Sequence, residues 1–342
     1  MEHYLDNAAT TKPCAEAAAA VMSCISSHYG NPSSLHRKGL EAQHEVEYAR
    51  NQVAGALGCK AQEIVFTSGA TESTNLALCG AAAAYGRKRK KIITSAVEHA
   101  SVRETMAHLE TLGFTVVSVP PAEDGLYHAE DFLKEVDKDT CMVSIMLVNN
   151  ENGYRMPVEE VFRTVKRRDP DIITHCDAVQ GFLKVSFKPR TLCADLVSLS
   201  GHKVHALKGA GALYIRQGVR LKPVLYGSRQ EKGLRPGTEG VPVIAAFGAA
   251  AEKLVLTMDE RYDAVSGLRS SLIEQLKEMD GVIIRDLPSA SPYVLNISLL
   301  GYRSEIVLHY LEQREVYISS GSACSKGASS GVLELFGAKP AE

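Results

Sequence analysis

The sequence predicts an α/β protein: a large domain built on a mostly parallel sheet of seven strands, followed by a smaller α+β unit. Three observations predict it. First, seven short apolar runs, most of them separated by helix-length segments, lie at Glu63–Thr67, Ile92–Thr94, Phe114–Val119, Cys141–Val148, from Ile172, Leu196–Leu199 and Ala210–Ile215. Second, several of these runs are apolar almost throughout rather than alternating, the pattern of parallel strands covered on both faces. Third, the pattern changes late in the chain. Two long helical segments, Val241–Leu256 and Met258–Met279, lead to short strands at Val282–Arg285, Tyr293–Leu299 and Val316–Ser319, with a helix around Ile306–Leu311.

A length of 342 residues exceeds one ordinary core and agrees with two domains. Hydrophobic content of 45% and charge of 23% are those of a soluble globular protein. A net charge of -2 supplies no field that draws the whole chain to nucleic acid or membrane. No basic segment followed by an apolar run opens the sequence, and no apolar stretch reaches the ~18 residues of a membrane span. The expectation is a cytoplasmic protein with no membrane or direct nucleic-acid partner. The eight cysteines lack paired metal spacing and are expected to be free thiols. Cys59, Cys79, Cys141 and Cys193 lie in or beside apolar segments and read as core residues.

Asp6–Thr11 is a small-residue turn before Pro13. It suits either a capping segment for the alanine-rich helix Ala15–Met22 or a lip over a site. The turn Gly30-Asn31-Pro32-Ser33-Ser34 opens an amphipathic helix through Val46, Ala49, Val53 and Leu57, which Gly58 ends. The strand at Glu63–Thr67 runs into Ser68-Gly69-Ala70-Thr71-Glu72-Ser73 and a further helix. A strand, a turn of small residues and a helix N-terminus make an anion site, because free N–H groups and the helix dipole point at one place. The basic run Arg87–Lys91 reads as a solvated strand entry. Glu98-His99 closes the next strand, and His99 suits both a satisfied loop histidine and one that stacks on a flat ring. A helix from Ser101 ends at Gly113. The strand at Cys141–Val148 ends in the polar turn Asn149–Gly153, where Asn150 is a candidate donor to a bound oxygen, and a helix follows over Pro157–Arg168.

Two strand ends then deliver complementary groups. The strand from Ile172 ends at Asp177, with Gln180 shortly after, and Leu196–Leu199 leads into Ser200-Gly201-His202-Lys203. Ligands of open α/β sheets sit outside the carboxyl ends of strands. A lysine and a carboxylate converging there suit pyridoxal phosphate, with the lysine bonding the cofactor aldehyde and the acid keeping its ring nitrogen charged. Taken alone, Asp177 and Lys203 suit an ordinary ion pair equally well. His202 and His205 lack the further ligands of a zinc set. The loop Gly227–Thr238 offers Arg235 and Thr238 as phosphate ligands or as plain solvent-exposed connection. Near the end, Cys324 sits among serine, glycine and alanine in Ser319–Gly327, with Lys326 two residues on, a setting that favours an exposed, reactive thiolate.

Seven ordered motifs give the chain a resemblance. Asp-Asn-Ala-Ala-Thr-Thr, Gly-Asn-Pro-Ser-Ser, Phe-Thr-Ser-Gly-Ala-Thr-Glu-Ser, Val-Asn-Asn-Glu-Asn-Gly, Ser-Gly-His-Lys, Arg-Pro-Gly-Thr and Ser-Gly-Ser-Ala-Cys run collinearly from residue 6 to Cys324. The chain resembles the cysteine desulfurases, class V aminotransferases of pyridoxal phosphate fold type I, in the subgroup with a long cysteine loop. The resemblance implies a large cofactor domain over residues 15–250 and a small domain formed by 1–14 and 251–342. It implies that Lys203 bonds the cofactor, Asp177 its ring nitrogen and Gln180 its ring hydroxyl, while His99 stacks on the ring. Ala70, Thr71, Ser200 and His202 would hold the phosphate, joined by Thr238 from the partner subunit of a homodimer. Asn150 would hold ring or substrate, and Cys324 would take sulfur from L-cysteine as a persulfide, leaving L-alanine. A sulfur-acceptor protein such as an iron–sulfur scaffold is the expected partner.

The chain also departs from the pattern. Family members carry a later Ile-Arg-x-Ser strand whose arginine clamps the substrate carboxylate, and this sequence reaches Glu342 without it. Weaker cysteine binding and an uncovered face on the small domain are therefore expected. Ala206-Leu207 and Ser228-Arg229 replace glycine-containing family sequences. A selenocysteine lyase, another enzyme of this fold, or a shortened paralogue acting as a binding protein are the competing readings, and Cys324 speaks against an aminotransferase.

Overall fold

The computed structural model describes residues 2–320 and 331–339. In chain order the elements are β1 (His3–Tyr4), α1 (Ala15–Ser26), α2 (Arg37–Leu57), β2 (Ile64–Thr67), α3 (Ala70–Tyr85), β3 (Lys91–Ser95), α4 (Ala100–Thr111), β4 (Thr115–Val119), α5 (Ala129–Leu133), β5 (Thr140–Met146) and α6 (Val158–Arg168). Then come β6 (Ile173–Asp177), β7 (Leu196–Ser200), β8 (Gly211–Ile215), α7 (Val241–Val255), α8 (Met258–Lys277), β9 (Val282–Arg285), β10 (Asn296–Leu299), α9 (Ser304–Glu312), β11 (Val316–Tyr317) and α10 (Gly331–Leu335).

The main sheet has seven strands in the order β2-β8-β7-β6-β5-β3-β4. Pairings from β7 through β4 are parallel, and β8 runs antiparallel to both of its neighbours. The side-chain period of two then sorts each strand between two cores. Val65, Met142 and Leu196 pack with Leu76, Val102 and Met106 of α3 and α4. Phe66, Val143 and Val197 pack on the other side with Val53, Phe162 and Phe247 of α2, α6 and α7. This double cover is why the central strands read as continuous apolar runs.

β4 is the exception. Only Val119 of its five residues is buried, because β4 is an edge strand and not one covered on both faces as its composition suggests. The basic run before β3 is not simply solvated: Lys91 pairs with Asp137 at 3.1 Å and Arg89 with Asp169 at 2.7 Å. Gly58 ends α2 at φ 74°, a left-handed conformation that favours glycine. Beyond α8, β9 and β10 form an antiparallel pair, while β1 pairs in parallel with β11, so the start of the chain joins its late segment.

Candidate active site

With β8 reversed, the C-terminal ends of β2, β3, β5, β6 and β7 share one edge with the start of β8. Thr67 and Ser200 both register against Gly211. A Cβ on Gly211 would stand 2.6 Å from the backbone of Gly69, so glycine there lets the turn before α3 close onto the sheet. Ala70 and Thr71 begin α3, a helix of 16 residues, and their N–H groups belong to the first turn that has no intrahelical acceptor. The space before this turn is open, since a Cβ on Gly69 would meet nothing within 4 Å.

Asp177 ends β6 and is 5% exposed. Its Oδ1 accepts the Val179 N–H at 3.0 Å. Burial raises its carboxyl above the usual range, and the nearby His99 and Lys203 pull it back. His99 caps α4, its Nδ1 accepting the Ser101 N–H at 3.1 Å. The neutral ring therefore carries its proton on Nε2. Burial lowers the His99 pKa, Lys203 lowers it further, and Asp177 raises it. His202 pairs through Nδ1 with Thr10 Oγ1 at 3.1 Å, and burial with the lysines around it holds its pKa down at about 4. Lys203 Nζ donates to the carbonyls of Ala8 at 2.5 Å and Ala9 at 2.7 Å. Gln180 Nε2 donates to Ala8 as well, at 2.8 Å. The Asp6–Thr11 segment is thus a lip over the site. Cys14, not this turn, stands at the N-cap of α1.

Among the candidates, His99, Asp177, Gln180 and Lys203 form one electrostatic and hydrogen-bonded cluster, and Ser200 and His202 stand beside Lys203 on the same strand end. Asn150 is half-buried in the turn after β5 at that edge. Its neighbour Asn149 organises this turn, accepting the N–H groups of Glu151 at 2.9 Å and Asn152 at 3.2 Å. Thr238 is exposed, and the hydrogen bonds of the described residues join it to none of the other candidates. Arg235 does not stand ready for a phosphate: its Nε donates to Glu72 at 3.0 Å, within the first turn of α3. Cys324 lies outside the described residues. Burial pushes other thiols up, Cys59 to about 12 and Cys141 to about 11, which suits inert packing. Cys59, Cys79 and Cys193 are half-buried rather than fully enclosed.

A family model described as Aminotransferase class-V matches residues 3–334. Cysteine desulfurase IscS of Dictyoglomus turgidum is 39% identical over 329 residues, spanning 96% of this chain and 83% of that protein. A cysteine desulfurase of Nostoc sp. is 40% identical over 327 residues, spanning 95% and 81%. The chain belongs to the class-V aminotransferases, among the cysteine desulfurases. A solved NifS-like protein matches this cysteine desulfurase fold with a TM-score of 0.93 at 38% identity, covering 99% of this chain and 91% of that one. SspA, solved in complex with cysteine, matches with a TM-score of 0.86 at 32% identity, covering 99% and 96%.

Class-V enzymes are pyridoxal phosphate enzymes, and the site fits that group. A buried carboxylate calls for a cationic partner, which the ring nitrogen is. An open helix N-terminus beside Ser200 and His202 suits a phosphate. Two members of this cysteine desulfurase site escape sequence reasoning. Glu98, 3% exposed, accepts from Ser95 Oγ at 2.5 Å and Met146 N–H at 2.9 Å through Oε1. Burial, with Asp177 adding to it, raises its carboxyl to about 8. Lys184, 7% exposed, donates to Gln180 Oε1 at 3.0 Å. Burial, with Lys203 and Arg261 nearby, lowers it to about 7. The available signals were weak: a Glu next to His99, and a lysine four residues after Gln180.

Proposed function

We propose that this chain is a cysteine desulfurase that holds pyridoxal phosphate at the strand ends and takes sulfur from L-cysteine onto Cys324, leaving L-alanine. The observation that carries this reading is the approach of Lys203 and His99 to the buried Asp177, opposite an open helix N-terminus on the same sheet edge. Bound there, the cofactor supplies an electron sink for charge developing at the substrate α-carbon. Ala70, Thr71, Ser200 and His202 hold its phosphate, with Thr238 reaching over from the partner of a homodimer. Asp177 holds the ring nitrogen and Gln180 the ring hydroxyl. His99 covers the ring face, kept neutral by burial. Asn150 contributes a hydrogen bond to ring or substrate.

Lys203 Nζ is the proton carrier at the substrate α-carbon, being the only proposed base within the cluster that the lip carbonyls orient. The Cys324 thiolate forms an S–S bond as the substrate C–S bond breaks, so one sulfur atom moves and the substrate carbon skeleton departs as alanine. The persulfide then passes to an acceptor protein of the iron–sulfur or thiolation type, in the cytoplasm. The test is direct. Purified protein with pyridoxal phosphate, L-cysteine and a reductant is expected to release sulfide and alanine, and borohydride is expected to fix the cofactor on Lys203. Cys324→Ser is expected to keep the visible cofactor band and lose sulfide release at least a hundredfold. A label on another residue, or full turnover in Cys324→Ser, overturns the reading.

A further inference from the structure

One carbonyl joins the Gln180 amide to Lys203. Ala8 O accepts Gln180 Nε2 at 2.8 Å and Lys203 Nζ at 2.5 Å. The far end of the amide, Oε1, accepts Lys184 Nζ at 3.0 Å. These two partners fix which way the amide faces. The Ala8 carbonyl only accepts, so turning the amide over would oppose oxygen to oxygen there and give up the Lys184 bond to Oε1. One Nε2 hydrogen is bound to the Ala8 carbonyl that also accepts Lys203 Nζ, which leaves the second for a further acceptor.

Packing gives no reason for a lysine here. Lys184 is enclosed, no ion pair of the described residues includes it, and the charged groups around it are cations: Lys203 and Arg261. His202 and His205 feel its charge in turn. An apolar side chain would cost less at this position. What the lysine contributes is a donor aimed at Oε1.

We propose that Lys184 is a positioning residue whose donation to Oε1 locks the Gln180 amide, so that the second Nε2 hydrogen faces the ring hydroxyl of pyridoxal phosphate held on Lys203. This rests on the cofactor reading above and extends it from Gln180 to the residue behind it. A hydrogen bond to the ring oxygen stabilises its anionic form and eases loss of the proton from the cofactor-bound Lys203 nitrogen, which Asp177 and His99 also face.

The readout is the pH midpoint of the visible-band change in reconstituted holoprotein, measured without substrate. Lys184→Met and Gln180→Ala are each expected to raise that midpoint by about one unit, tenfold in proton affinity. Lys184→Arg, which keeps a donor, is expected to titrate as the parent does. The Gln180→Ala/Lys184→Met pair is expected to shift no further than Gln180→Ala. A parental midpoint in Lys184→Met, or a double shift equal to the sum of the single ones, overturns the proposal; Lys184→Leu serves if Lys184→Met does not fold. Failure of the cofactor reading is distinguishable, because borohydride would then leave Lys203 unlabelled in the parent protein and there would be no band to titrate.

Discussion

Glu98 illustrates how a site residue can be stabilised by one protonation state. Its carboxyl is enclosed beside Asp177, with Oε2 lacking a hydrogen-bond partner among the described residues. Held at about 8, it stays protonated at neutral pH, when an unfolded glutamate is ionised. The folded chain then binds more protons than the unfolded one, so stability falls as pH rises from roughly 4.5 to about 8. At pH 7 the cost is about 3 kcal/mol. Glu98→Gln, which keeps Oε1 and cannot ionise, is expected to melt higher than the parent apoprotein, with the gap widening across that window; a gap constant with pH would show that Glu98 does not titrate there. Neither Glu98 nor Lys184 was legible in the sequence, because what distinguishes them is enclosure by distant segments. Lys203, Asp177 and His99 were legible because each ends an apolar run, and the sheet edge gathers such ends. The Ala8 and Ala9 carbonyls were not, since no side chain marks a backbone acceptor.

Whole elements were legible where one face or both are buried in a regular period. β6 and β7 appear where their apolar runs lie, and α2 ends at its glycine. Direction and edge position were not, since β8 reads like its parallel neighbours and β4 like a covered strand. The composition of the loop after β8 suits a solvent-exposed connection or a phosphate ligand, yet the structure anchors it by a buried pair. Glu231 bonds Arg50 Nη1 at 2.9 Å and Nη2 at 2.6 Å, and accepts the Phe66 N–H at 2.9 Å. Glu231 and Lys232 stand at φ 45° and 61°, a left-handed backbone that costs roughly 1–2 kcal/mol per non-glycine residue. The pair offsets that cost and fixes the loop against β2, while Arg235 ties it to the first turn of α3. Glu231→Ala would leave the enclosed Arg50 with the Glu47 carboxylate at 3.3 Å and the Ile64 carbonyl at 3.1 Å, its bidentate partner gone. It is expected to destabilise the chain by about 3–5 kcal/mol in denaturant unfolding, and to weaken pyridoxal phosphate binding if the loop serves the phosphate. A loss below 1 kcal/mol would mean that water reaches Arg50.

At the scale of the molecule, one chain supplies most of the proposed site but leaves Thr238 exposed on that anchored loop. The surface also carries large exposed apolar side chains, among them Tyr226 at 86% and Leu35 at 96%. The proposed two-fold dimer would exchange the loops, because an isologous interface gives each subunit what it receives. The consequence is measurable by mixing defective variants. On the proposed function, Lys203→Ala would remove the base and cofactor anchor from its own site, and Thr238→Ala would remove a phosphate contact lent to the partner. In a hybrid of the two, the subunit with intact Lys203 receives the intact Thr238, so one site per hybrid is whole. Random reassociation makes about half the dimers hybrid, and roughly a quarter of parental sites are restored. Coexpressed variants are therefore expected to regain about that fraction of sulfide release per site, well above the sum of the separately purified mutants. Recovery equal to that sum would assign Thr238 to its own subunit.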